Sequence, residues 1–254
     1  MNTPTPNPGR LAALGRSELT LLVRNRAALS VALLMPLLTV FVLRSTLDGQ
    51  EGAAALGEAT LTGGTGMVLL LVVYVNLVSA YTARREELVL KRLRTGEAAD
   101  LEILAGTALP AGVLAACQIT VLAVAGAAAL GAPMPRNPAL LALAVLAGTV
   151  LLAGAAALTA SFTRTVESAG LTTLPLFLLT VLGSGLSVPV DSLPDTVASV
   201  CELLPVSGVM ALVRAGWSGG VEAGELLGAA LTTLAWIMIT VFAVQRWFRW
   251  EPRR

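Results

Sequence analysis

The sequence predicts an all-α integral membrane protein. Six transmembrane helices are expected, with an amphipathic interfacial helix before the first and re-entrant outer helices between the fifth and sixth. Three observations carry this reading. Apolar runs recur six times, at approximately 27–43, 65–81, 101–130, 139–161, 171–186 and 226–248. Each is about long enough, at about 1.5 Å per helical residue, to cross a hydrocarbon core of about 30 Å. Lipid offers the backbone no hydrogen-bond partner, so each run must satisfy itself as a helix. The composition is 56% apolar and only 13% charged, against roughly a quarter charged in soluble chains. Finally, the cations are sorted by side.

Fourteen of the seventeen Lys and Arg residues fall on one side of the alternation. They are Arg10, Arg16, Arg24 and Arg26 in the arm, then Arg84, Arg85, Lys91, Arg92 and Arg94 after the second run. Arg164 lies in the turn after the fourth, and Arg246, Arg249, Arg253 and Arg254 in the tail. Arg44, Arg136 and Arg214 are left on the other side. The cation-rich side is cytoplasmic by the positive-inside rule, which places both termini inside. The net charge of +1 says nothing by itself. The basic clusters lie beside spans, where they face anionic lipid or a cytoplasmic partner, and no nucleic-acid surface is implied.

The chain divides at residue 26, into a tail with an amphipathic helix (1–26) and a six-span domain (27–254). The Pro-rich start holds no apolar signal core, so the first span is expected to act as the insertion signal. Over 10–26, Leu11, Leu14, Leu21 and Leu22 share one helical arc. Arg10, Arg16, Ser17, Thr20 and Arg24 fall opposite, as in a helix lying on a membrane surface. Glu18 sits within the apolar arc and either pairs locally or meets a cytoplasmic subunit. Pro36 predicts a kink in the first span. The acidic stretch 45–64, rich in Ala and Gly, reads as an outer loop. In the second span, Tyr74 and Asn76 are polar at membrane depth, and an Asn there needs a neighbouring helix or a water-filled path.

Residues 84–102, RREELVLKRLRTGEAADLE, hold the densest charge in the chain. They are too polar for lipid and predict a short helix stopping near Thr95-Gly96. Glu87 and Lys91 stand in the favourable i,i+4 order. The mixed charge and inner location mark a docking surface. The third span contains Pro110 and Gln118, and the fourth is rich in Ala and Gly. The fifth loses apolar character near Gly183-Ser184-Gly185. Residues 186–225 are too apolar for a free loop. They read as short helices broken at Pro194 and Pro205 and dipping into the outer leaflet, where irregular backbone must be covered by protein or line a cavity. Trp247, Phe248 and Trp250 with Arg246 and Arg249 read as an interfacial anchor.

The chain has no His, which removes histidine metal sites and catalytic triads, and neither a catalytic nor a metal residue is assigned. Cys117 and Cys201 are read as packing residues. A P-loop needs a Lys after Gly. The sole lysine, Lys91, follows Leu90, so no nucleotide site is expected in this chain.

Read along its length, the sequence resembles the type-2 permeases of ATP-binding-cassette exporters, such as those of bacterial drug and antibiotic resistance like the daunorubicin pump. The resemblance rests on the amphipathic arm, on the charged stretch from Arg84, and on the fifth-span exit. That exit runs Ser184-Gly185, Pro189, Leu193-Pro194, Leu204-Pro205 and Ala211-Leu212-Val213-Arg214, with Val213 standing between Leu212 and Arg214 where the family pattern has none. The resemblance implies a dimer of permeases, as homodimer or heterodimer, in a bacterial cytoplasmic membrane. Each copy would dock on an ATPase subunit that binds ATP and Mg. Coupling would run through Arg84, Arg85, Glu86, Glu87, Lys91 and Arg92, with Glu18 as a second contact. The substrate path would pass Tyr74 and Asn76. The outer gate would hold Ser184, Gly185, Pro189, Pro194, Pro205 and Arg214. A hydrophobic or amphipathic cargo (drug, antibiotic, lipid or peptide) would leave by alternating access. Three other classes stand beside this one. A secondary transporter or channel would need ionisable groups inside the spans. A membrane enzyme would need a catalytic constellation, and a sensing or assembly subunit would not transport at all.

Overall fold

In the computed structural model, residues 9, 15–17, 20, 23–24, 26–47, 53–94, 99–184, 194–248 and 250 are described, and among them every regular element is helical. The first is α1, Arg26–Leu47. A long rod, α2, follows in three continuous segments: Ala53–Val68, a π-helical stretch Leu69–Val75, and Asn76–Glu86. Next come the short α3, Val89–Arg94, then α4, Asp100–Leu130, and α5, Pro138–Phe162. The remainder is α6, Ala169–Gly183, α7, Asp195–Glu202, α8, Ser207–Ser218, and α9, Ala223–Trp247.

Among the described residues, four helices are long and apolar enough to cross a membrane: Gly57–Glu86 of α2, and α4, α5 and α9. The pair α7–α8, bent by 88°, makes a fifth if it is taken as one broken span. The first expected run, 27–43, lies within the 22 residues of α1, and Leu34–Thr46 is an apolar part of it. The 15 residues of α6 extend about 22 Å, less than the hydrocarbon thickness. At its last residue α6 packs on the α7–α8 bend, where a Cβ on Gly183 would lie 2.2 Å from Leu204 Cδ1.

The expected outer loop at 45–64 is corrected as well, since from Ala53 onward it is helix. Its small residues are the cause. Leu61 is fully buried on α4, where a Cβ on Gly126 would come within 2.6 Å of it. Gly64 meets Leu122 in the same way. Tertiary contact thus holds a segment whose glycines disfavour helix in isolation.

The core is built around α5. Asn137 caps its start by accepting from the Leu140 N–H at 3.0 Å, with Pro138 in the first turn. Leu151, Leu152, Ala156 and Ala160 are buried. Gly148 lets α5 close on Val209 of α8 and Leu69 of α2, and Gly154 lets it close on Thr240 of α9. On its other side α2 packs on α4, which also carries α1. Gly131, at φ 64° just past α4, adopts the left-handed cap that turns the chain toward α5. The expected aromatic anchor is divided. Trp247 is exposed, but Trp250 is buried and stacks edge-on with Phe248 at 4.9 Å, which in turn meets Tyr81 at 6.5 Å. The backbone becomes extended at Phe248, whose ring lies against Tyr81 of α2.

Candidate functional site

The charged stretch from Arg84 begins inside the end of α2, and its first three members go to three different places. Arg84 donates to Thr107 Oγ1 of α4 at 3.1 Å. Arg85 is only 1% exposed. Its guanidinium donates to the Ala160 carbonyl at 2.6 Å and to the Thr163 carbonyl. Both carbonyls lie at the end of α5, where helical acceptors run short of donors and the dipole favours a cation; the Ala160 carbonyl also accepts from the Thr163 N–H at 3.2 Å. Glu86 accepts from the Val166 N–H at 3.2 Å, in the turn between α5 and α6. In that turn the Glu167 carboxyl is held below its ordinary range by its own backbone N–H and by the Thr165 hydroxyl. Below Arg84, the Tyr81 hydroxyl donates to the Leu104 carbonyl at 3.0 Å. One end of α2 is therefore tied to α4, α5 and the α5–α6 turn.

Past this clamp the chain breaks. Glu87 is exposed and closes α2, and Leu88 follows in the left-handed region at φ 58°. For an L residue this costs about 1–2 kcal/mol. Leu88 is also 40% exposed, so burial does not compensate it. α3 then lays Leu90 into the core and leaves Arg92 exposed. Lys91 lies on this helix. The expected stop at Thr95-Gly96 lies outside the described residues, as does Glu18. Gly15 is buried against Leu109, while Arg16, Ser17, Thr20 and Arg24 are exposed. Glu102 is buried and accepts from the Ala99 N–H at 2.8 Å, closing the start of α4.

At the middle of the rod, the Asn76 N–H reaches back to the Leu71 carbonyl, the five-residue step of a π-turn. Tyr74 and Asn76 are two residues apart but leave the helix on different sides. Tyr74 is fully buried against α5, its hydroxyl 3.0 Å from Thr159 Oγ1. Thr159 already donates to Ala155, which assigns the proton between them to Tyr74. Asn76 is exposed on the outside of the bundle.

At the opposite end, the structure joins two parts of the proposed gate. Arg214 of α8 donates to the Ser184 carbonyl at 3.2 Å, just past α6. Ser184 is buried, its hydroxyl on the Thr180 carbonyl. Pro194 stands exposed at the start of α7, and Pro205 lies in the 88° bend. Gly185 and Pro189 lie outside the described residues. The bend is held by Ser207 Oγ donating to the Cys201 carbonyl at 2.5 Å and by Trp236 Nε1 donating to the Leu203 carbonyl at 2.9 Å. α7 leaves Val197, Val200 and Leu203 exposed. The far end of α8 is fixed by the Arg136 and Asn137 N–H groups, which donate to the Trp217 and Gly216 carbonyls.

Three contributions have no signature in the sequence: the π-turn, the left-handed Leu88, and the carbonyls that receive Arg85. Backbone conformation carries all three, and no residue type announces it. The proline spacing did signal the α7–α8 bend.

Apolar helices around a small-residue core, with a charged clamp at one end and a bent helical pair at the other, define a membrane-embedded helical subunit. A family model described as ABC-2 type transporter matches residues 10–217, and the chain belongs to that family. It is the permease subunit of an ABC transporter, a membrane part of a kind that normally works with an ABC ATPase subunit. A search of curated proteins found no match.

Proposed function

We propose that this permease is the passive half of an ATP-driven exporter. An ATPase subunit, which binds ATP and Mg, docks on the cation-rich end of the permease, facing the bacterial cytoplasm. A second permease copy, identical or related, completes the path. The observation that carries this reading is Leu88, an apolar side chain held exposed in a strained conformation between exposed Glu87 and exposed Arg92. Strain of this kind marks places where a partner uses the conformation. Directly behind it, Arg84, Arg85 and Glu86 tie the same end of α2 to the rest of the bundle. A push on α3 would reach α4 and α5 through these contacts. Exposed Asn76 supports the second copy, because an amide at mid-span is served by an adjoining helix or a wetted path between copies. Alternating access would then rock α2 and α5 between an inner opening and an outer one closed by the α7–α8 bend. The apolar spans suit a hydrophobic or amphipathic cargo.

The test separates docking from folding. Glu87→Ala with Arg92→Ala replaces two exposed side chains; with the thermal unfolding midpoint read alongside as the check on folding, ATPase co-purification and cargo export are expected to fall about tenfold or more. Full export by this variant would remove α3 from the coupling route.

A further inference from the structure

α4 and α5 both pack on α2 but diverge from each other, and a groove of about 820 Å³ remains between them. It is closed at the back by Tyr81 and by Val241 and Val244 of α9. Its α4 wall runs from Leu101 to Val124, about 35 Å, so the groove crosses the whole hydrocarbon thickness. No charged residue lines it, and its hydroxyls are already used: Thr120 donates to Ala116, Thr149 to Val145, and Tyr81 to Leu104. Ala105, Ala116 and Ala142 line it and are exposed in the chain, so the width comes from small side chains. The volume lies in the range of ligand sites, and the lining matches hydrocarbon.

The cation-rich end of the groove is chemically different. Thr107, which receives Arg84, is flanked by the lining residues Leu104 and Ala108. Leu109, another lining residue, carries buried Gly15, and exposed Arg16 follows directly in the chain. Cations thus meet an apolar channel where the arm touches α4. We propose that this groove is a binding site for a bilayer phospholipid. The hydrocarbon tails would lie between α4 and α5, and the anionic headgroup would sit at Arg16 and Arg84. The arm would rest on the occupied groove through Gly15. The site needs only the embedding of the chain in a membrane, and it stands whether or not the export reading does.

The test uses the purified full chain in nanodiscs, without ATPase, and phosphatidylglycerol bearing a photoactivatable group in its tail. Adducts are expected on α4 and α5 peptides. Ala116→Phe with Ala142→Phe fills the groove and is expected to reduce them about tenfold. Ala128→Phe, on α4 but outside the groove, should leave them unchanged. Arg16→Ala should lower the preference for phosphatidylglycerol over phosphatidylcholine about fivefold. If the double variant does not fold, Ala105→Phe reads the other end of the same groove. Wild-type adducts confined to other helices would overturn the proposal, as would filled variants that label like wild type. So would disulfide cross-linking of Ala116→Cys to a second copy, which would make the groove a protein interface.

Discussion

Arg85 is the residue where charge, burial and position meet. It is enclosed among apolar helices, and its bonds go to the α5 carbonyls. Removing it takes the guanidinium donor from both carbonyls and leaves the Ala160 carbonyl only the Thr163 N–H at 3.2 Å, so Arg85→Ala should cost about 2–4 kcal/mol of stability. Arg85→Lys should recover only part of this, because an ammonium cannot reach two carbonyls with the geometry of a planar fork. Thermal unfolding of the purified chain checks both. The sequence placed Arg85 beside Arg84 and Glu86 as one charged surface. Neighbours along a helix diverge by about 100°, and here that rotation sends the three to different elements. Tyr74 and Asn76 separate for the same reason. From the sequence, such residues could be placed at a depth; which way each one faces depends on helices far along the chain.

At the scale of elements, the glycines decide which helices touch. On Gly208 of α8, a Cβ would fall 2.6 Å from the Ala229 carbonyl oxygen, a backbone atom of α9. On Gly183, it would meet only the end of the Leu204 side chain. Gly208→Ala is therefore expected to destabilise the chain by about 1–3 kcal/mol by forcing α8 from α9. Gly183→Ala should cost clearly less, because a leucine end can rotate away. Denaturation midpoints of the two variants give the comparison. The α7–α8 bend was legible because Pro194 and Pro205 punctuate an apolar stretch. The helix from Ala53 was not, because it needs Gly126 and Leu122 of α4, which nothing local announces. The contact of Gly183 with Leu204 was not legible either, because it is made beyond the span itself.

Over the whole molecule, the order and membership of the apolar runs carried through, and their family was legible from the charged stretch and the proline pattern. The partition into spans was less so, since hydropathy counts apolar residues and does not report where a helix bends. Sidedness can be tested directly. With Cys117 and Cys201 replaced, Leu88→Cys should resist a membrane-impermeant thiol reagent in intact cells and react in inverted vesicles. Glu225→Cys, at the start of α9, should do the reverse. Labelling of Leu88→Cys from outside would invert the topology and remove the ATPase docking surface with it.

The π-turn in α2 also sets how the protein can vary. Such a turn is equivalent to one residue inserted into an ordinary helix. Loss of a residue within Leu69–Val75 can therefore be absorbed by tightening the turn, with Arg84, Arg85 and Glu86 still aimed at their three partners. The same loss elsewhere in the rod would swing that end by about 100° and break all three contacts together. Length changes in this helix are tolerable at mid-membrane and intolerable toward its ends, the opposite of the surface-loop pattern by which most proteins accommodate insertions and deletions.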